Sequence, residues 1–442
     1  MKKLLLLFVL ISFCYFTYGQ GKALTFDGSN DYVALTGYKG ITGTAARTVE
    51  AWLVTSSAGS RIIEWGDGNV GGRWTIRNPS DELRIEVQNG GNQGSTSMTQ
   101  GEAFHIAIVW SDDGTPNVED ALLYVNGKLE TLSSSAAHAV NTGNTADVNI
   151  GRGSVSGGNN YTGEIDEVRI WTDVRTVAEI RTNMHKTLSG SEGNLDAYFS
   201  FDNATTCNGS VGEIEDESTN TNDGTCTNMD NADIITSKAP VGNATVNSVT
   251  AHQNASVTIG DITFDDTPDM FDNSQDIYVS KIPNSPNVTT GITQDNAASE
   301  YRVINIYENG GSAGTFSVTL TLPSPAANGS NVTLYSRSTS STGSWSSVGS
   351  ATTTGGNVTY TGITGFSQFI LAWDNALSFD GSNDYVDLGS SVLTFDRTDP
   401  FTIEAWINTT GTGNRNIIST VHNNNSHKGT ELGIESVNLR VW

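Results

Sequence analysis

Short runs of β-branched and aromatic residues, each closed by glycine, asparagine or aspartate, recur along almost the whole chain. Residues 48–54, 83–87, 105–110 and 121–125 are such runs, and turn residues at this spacing predict a two-sheet β-sandwich. Asn126-Gly127 after the last of them is a hairpin signal, because both residues tolerate the positive φ of a two-residue turn. Only residues 176–186 carry helical spacing, with Val177, Ile180 and Met184 at i, i+3 and i+7 behind a threonine cap. One short helix does not make an α/β fold. The expectation is an all-β chain.

An internal repeat sets the organisation. Residues 23–35 recur as residues 376–388, and the copies differ only at Thr25/Ser378 and Ala34/Asp387. The likeness continues in Val49-Glu50-Ala51-Trp52 against Ile403-Glu404-Ala405-Trp406. It persists in Ile62-Ile63 against Ile417-Ile418, and in Leu83-Arg84-Ile85 against Leu439-Arg440-Val441. The second copy stops at Trp442, and half a sandwich leaves open strand edges and an uncovered core face. A longer parent protein is therefore expected. Between the copies, residues 240–373 alternate in runs such as 301–307, 315–322, 332–335 and 369–373, which predicts a separate Ig-like β-sandwich acting as a spacer.

Lys2 and Lys3 precede an apolar run over residues 4–13, then polar and small residues at Thr17, Gly19 and Gln20. That pattern predicts a secretory signal peptide over residues 1–20, too short to span a bilayer. The protein is expected outside the cell or on its surface, without membrane insertion, as a monomeric multidomain chain. Acidic residues outnumber basic ones 48 to 23, for a formal charge of −25, which disfavours nucleic acid and anionic lipid as partners. Cys14 lies within the signal segment, leaving Cys207 and Cys226 as an even pair in an oxidising compartment. A disulfide between them would staple residues 191–238, a Gly-, Asn- and Asp-rich tail, and contribute on the order of 3 kcal/mol.

The motif Gly163-Glu164-Ile165-Asp166-Glu167-Val168-Arg169-Ile170, followed by the short helix, resembles the closing signature of secreted laminin-G-like domains, jelly rolls of the concanavalin A-like lectin/glucanase type. Phe26-Asp27-Gly28 with Asn30-Asp31-Tyr32-Val33 is similar to that family's opening strand and turn. Residues 49–52, 104–109, 123–127 and 149–152 match its internal strands in order. The resemblance covers residues 21–190 and again, incompletely, 376–442. It implies a two-sheet roll whose first and last strands pair, with Phe26 beside Val168 and Ile170, and with Trp52 in the core. The implied role is recognition of a polysaccharide or cell-surface glycan, or adhesion. The alternative is an accessory region of a larger secreted glycoside hydrolase.

Asp27 ends the first strand and Asp166 lies on the strand expected beside it, so the two carboxylates would repel unless a cation bridged them or one were protonated. Asn30 and Asp31 add oxygens suited to Ca²⁺, and the resemblance implies a structural calcium held by Asp27, Asn30, Asp31 and Asp166. Hydrogen bonding to turn amides is the competing reading. The jelly-roll endoglucanases carry E-I-D-x-x-E on one strand. Here Glu164 and Asp166 are present, but Val168 or Arg169 occupies the place of the final acid. Retaining hydrolysis needs that second carboxyl group, so this segment is expected not to be catalytic. Trp65 and Trp74 are the candidates for stacking on a sugar, and Trp65 lies in a glycine-flanked stretch that reads as a loop tip. Packing beneath their own loops is the alternative.

Overall fold

Side chains alternate across a strand with a period of two, and in the first domain that period separates a shared core from two outer faces. Trp74 and Ile76 point into the core, while Arg73, Thr75 and Arg77, which alternate with them, point away. A computed structural model describes residues 21–155, 157–251, 256–265, 275–308, 318–338, 340–365, 368–374, 385–386, 415–419, 431–435 and 438–441. The expected signal segment and most of the second repeat copy lie outside the described residues, including residues 376–384 and 403–406. Two units separate by their contacts, Met1–Ala376 and Leu377–Trp442.

In the first unit, one sheet runs in the order Lys128–Leu129, Leu122–Val125, Ala103–Trp110, Arg47–Thr55, Thr162–Trp171, Lys22–Asp27 and Ile234–Thr236. Leu195–Phe199 continues the line of Lys22–Asp27 beside the second half of Thr162–Trp171. The other sheet runs Leu132–Ala136, Gly90–Ser97, Glu82–Val87, Arg73–Arg77, Arg61–Gly66, Ala146–Ile150, Tyr32–Leu35 and Thr225–Thr227. Their inner faces share a core that includes Phe26, Trp65, Trp74, Trp110, Val168 and Ile170. Residues 191–238, read from sequence as a tail, supply strands to both sheets. The disulfide Cys207–Cys226 ties this segment to the core, because Cys226 sits on the strand that pairs with Tyr32–Leu35.

The first and last strands pair as expected, but the register differs. Phe26 lies opposite Gly163, while Val168 and Ile170 face Phe199 and Ala197. Thr162–Trp171 is an interior strand, flanked on both sides. It carries a bulge against Arg47–Thr55, with an extra residue between Asp166 and Arg169, and Glu167 has φ +53°. A bulge of this kind sends two consecutive side chains to the same face, here Asp166 and Glu167. Among the described residues the one α-helix is Val177–Asn183, opened by a reciprocal capping box between Thr176 and Glu179.

Residues 245–373 form a second sandwich in the same unit. Thr245–Ala251, Gln275–Ile282, Tyr301–Glu308, Gln368–Trp373, Asn331–Arg337 and Ser346–Thr352 make one sheet, which Asn296–Ala297 joins through Gln368–Trp373. Val257–Ile259, Ile262–Asp265, Val318–Pro323 and Asn357–Ile363 make the other. In the second unit, Arg415–Ser419, Glu431–Glu435 and Asn438–Val441 form a three-stranded antiparallel meander. It repeats the meander Arg61–Gly66, Arg73–Arg77, Glu82–Val87 of the first copy, as the matched Ile-Ile and Leu-Arg pairs require.

Candidate functional site

The outer face of the first sheet is closed over. Trp52 is buried there against His105 and His185, and its indole Nε1 donates to Met184 O at 2.6 Å. Glu50 accepts from Trp171 Nε1 at 2.8 Å and lies 3.3 Å from His105 Nε2. Burial pushes the Glu50 carboxyl up, but His105, Arg169 and Trp171 outweigh it and hold it below the usual range. Arg169 donates to Glu167 and to the carbonyls of Asn183 and Lys186. Helix Val177–Asn183 lies on this face, with Ile180 packed against Ala107, Val109 and Tyr124, and the second sandwich closes the rest through Arg181, Met184, His185, Tyr278 and Tyr307.

The acid-rich strand lies beneath this cover. Glu164 pairs with Lys238, Asp166 accepts from Ser237 Oγ, and Glu167 accepts from Arg169 and from the Tyr198 hydroxyl. Burial raises the Asp166 carboxyl well above the ordinary range, with repulsion from Glu167 adding to it, and burial raises Glu167 as well. A cavity of about 390 Å³ opens beside them, lined by Asp166, Glu167, Thr187, Asp202, Ser237 and Asn284.

The outer face of the second sheet has a different character. Glu64, Thr75 and Glu86 stand opposite one another across three strands. In the next row, Arg61 faces Arg77, Arg77 faces Arg84, and Arg84 faces Gln93. Glu86 serves three guanidinium groups: Arg73, Arg77 at 3.1 Å and Arg84 at 3.4 Å. Glu64 is fully buried, accepts from Thr75 Oγ1 at 2.7 Å and from Val155 N at 2.8 Å, and lies 3.1 Å from Arg61 Nε. Arg61 also ties down the glycine-rich loop above it, donating to Gly157 O and Gly158 O. At the far end of the face, Arg152 stacks over Tyr32 at 4.8 Å. Side-chain exposure rises from none at Glu64 to 22% at Arg84, so the array is rooted in the sheet and open along one side.

Two antiparallel sheets closed over one core, with the first and last strands paired, form a jelly roll, and residues 27–181 match the sequence model of the concanavalin A-like lectin/glucanases superfamily. The jelly roll is a concanavalin A-like lectin/glucanase domain. No curated protein matches the chain. Among solved structures, a candidate carbohydrate-binding protein from Bacteroides ovatus is 24% identical with a TM-score of 0.39. The match covers 51% of this chain and 62% of that one, so less than two thirds of its length. A pentraxin from Limulus polyphemus is 14% identical, covering 37% and 81% at a TM-score of 0.27. Domain 4 of an extracellular arabinanase from Geobacillus stearothermophilus, solved with arabinotriose, is 16% identical, covering 36% and 74% at 0.26. The assignment rests on the family match and the sheet topology.

Within the concanavalin A-like domain, the expected sugar platforms are core residues. Trp65 and Trp74 are both fully buried, their rings 6.2 Å apart between the sheets, and Trp65 Nε1 donates to Ile41 O. Their parity with Ile63 and Ile76 turns them inward, and the flanking glycines do not alter that. The expected calcium set is not one place. Register puts Asp27 opposite Thr162, four residues along the strand from Asp166, or about 13 Å. Asp27 Oδ1 instead accepts from the amides of Ser29 and Asn30, and Asp31 Oδ2 accepts from Asp27 N at 2.9 Å. Asp27, Asn30, Asp31 and Asp166 therefore do not fit a single cation. Among the described residues, the only trio of thiol, imidazole or carboxylate atoms within 4.8 Å is Cys207, Glu213 and Cys226, where the sulfurs are joined in the disulfide. The arginine row was not foreseen; its signal was the outward parity of Arg77 and Arg84 beside the core residues Ile76 and Ile85.

Proposed function

We propose that this chain is a non-catalytic carbohydrate-recognition protein of the cell exterior, binding a polysaccharide or surface glycan on the outer face of the second sheet. One observation carries the reading. The first sheet's outer face is buried under the helix and the second sandwich, whereas the second sheet leaves Arg77, Arg84 and Glu86 partly open to solvent, held in place by the buried groups beneath them, with Tyr32 at the end of the face. Fixed polar groups of this kind suit vicinal hydroxyls, and an aromatic ring suits a sugar face. The matched superfamily joins lectins and glucanases. On the acid-rich strand, Glu164, Asp166 and Glu167 each hold an internal partner, which supports binding over hydrolysis. The disulfide supports an oxidising compartment, and no helix among the described residues is long and apolar enough to cross a membrane. Repeated modules with modest individual affinity gain strength on an extended ligand.

The test is a glycan array probed with the full chain, followed by titration of each positive polysaccharide. Capture of at least one polysaccharide is expected. A blank array overturns the reading, and release of a hydrolysis product from any captured glycan overturns its non-catalytic part. A calcium ion at the Asp27–Asp31 turn is a separate proposal. Burial raises the Asp31 carboxyl to about 6, and repulsion from Asp27 and Asp233 adds to it, a load that a cation would relieve. A melting midpoint that is equal in Ca²⁺ and in chelator removes that proposal.

A further inference from the structure

Like charges directly opposite on neighbouring strands destabilise a sheet, yet Arg61, Arg77 and Arg84 occupy one cross-strand row without a break. Arg73 stands beside them on the same face. These four guanidinium groups share Glu64 and Glu86, and Glu82 at the margin is taken by Gln93 and Ser133. The surplus is therefore positive, on a chain whose formal charge is −25. Arg61 and Arg73 are more than nine-tenths buried, and the Nε–H groups of Arg61, Arg73 and Arg77 make no hydrogen bond. Burial pushes the Arg61 guanidinium below its ordinary value despite Glu64, and Arg73 and Arg77 add to the effect. A row of crowded, under-bonded cations costs stability, and an anionic ligand would offset that cost.

We propose that the outer face of the second sheet selects anionic glycans, with Arg77 and Arg84, the open end of the arginine row, pairing with carboxylates or sulfate esters carried on successive sugars. The proposal rests on the carbohydrate-recognition reading and names the ligand class for that site. Neighbouring strands stand about 4.8 Å apart, comparable to the rise of one pyranose unit in an extended glycan. A chain laid across the strands thus presents its charges in step with the arginines. The planar guanidinium fork binds carboxylate and sulfate oxygens in pairs, which fixes orientation as well as charge.

The test uses the full chain in four titrations: alginate as a polyuronate, dextran sulfate as a sulfate ester, dextran with xylan as neutral glycans, and inorganic polyphosphate. Binding to alginate, dextran sulfate or both is expected, weakening at least tenfold between 50 and 500 mM salt, about the range for several released counterions. Which of the two binds identifies the anion. Arg77→Gln with Arg84→Gln should weaken it at least tenfold without lowering the melting temperature, since cross-strand repulsion is removed. Arg77→Lys keeps the charge and should recover only part of the loss. Neutral glycans bound equally by wild type and the double variant would overturn this inference while leaving carbohydrate recognition standing. No glycan bound at all would overturn both. Polyphosphate bound as tightly as the anionic glycans would overturn it too, because bare charge would then suffice.

Discussion

The guanidinium carbon of Arg181 sits 3.7 Å from the ring centroid of Tyr307, joining the helix of the jelly roll to the second sandwich. The same guanidinium reaches Asp276 at 3.1 Å and donates through Nε to Gly127 O, and the Tyr307 hydroxyl donates to Asn126 O at 2.9 Å. One side chain thus links three segments of the interface. Arg181→Ala is expected to weaken the docking by about 2 kcal/mol, from a lost cation–π contact and a half-buried ion pair. Calorimetry should show one transition splitting into two. A single, unshifted transition would rule out Arg181 as the anchor.

His185 lies in the same interface with both ring nitrogens used. Nδ1 donates to Pro240 O at 2.8 Å, which leaves Nε2 to accept from Asn305 Nδ2 at 3.0 Å. Burial lowers its pKa to about 3, although the bond to Pro240 favours the charged ring. Above about pH 6.5 the ring is neutral in both states and contributes no pH dependence. As pH falls from there towards 3, the unfolded chain takes up a proton that the folded one refuses, and stability is lost at up to about 1.4 kcal/mol per pH unit. Urea midpoints at pH 7.5 and 5 should therefore lie closer together in His185→Gln than in wild type. Buried carboxyls such as Glu217, raised to about 7 by burial, are common to both proteins and cancel in the comparison. An equal gap in the two proteins would contradict the assignment.

Cys207 and Cys226 are 19 residues apart and hold the strand Thr225–Thr227 at the margin of the second sheet. Replacing both with serine is expected to cost about 3 kcal/mol in guanidinium unfolding, mainly by freeing the denatured chain. A loss below about 0.5 kcal/mol would mean that the bridge adds nothing beyond the strand pairing.

Arg47 is fully buried, 4.8 Å from the Trp74 ring and 5.2 Å from the Trp110 ring. It donates to the carbonyls of Ile41, Gly43 and Ala45 and to Thr142 Oγ1. Burial lowers its pKa to about 9, still protonated at neutral pH. Arg47→Met keeps the bulk but orphans those oxygens, with an expected loss of about 3 kcal/mol and a shift in tryptophan emission. Unchanged emission and stability would show that the loop over residues 41–45 holds itself.

Strand positions and the helix were legible because alternation and the Thr176 cap are local signals. Register was not. Adjacent first and last strands were foreseen, but pairing Leu24 with Ile165 separates Asp27 from Asp166, and no local residue announces that offset. Gly66 and Gly68 suggest a loop tip at Trp65, whereas cross-strand pairing with Trp74 holds it in the sheet. The arginine row depends on a register shift between Arg61 and Ile63. Such shifts arise from bulges and turn geometry, which act between strands and leave only a weak trace within one.

Lys22 lies opposite Thr236, and Ser237 N donates to Gly21 O at 2.8 Å, so the polypeptide enters and leaves the jelly roll side by side. A pull on the second sandwich therefore meets this edge first, where Lys22–Leu24 are zipped against Ile234–Thr236, together with the docked interface beside it. The arginine face, on the opposite sheet, stays clear of that load. Drag on a captured polymer would be borne at the junction between the two sandwiches, not across the surface that grips it.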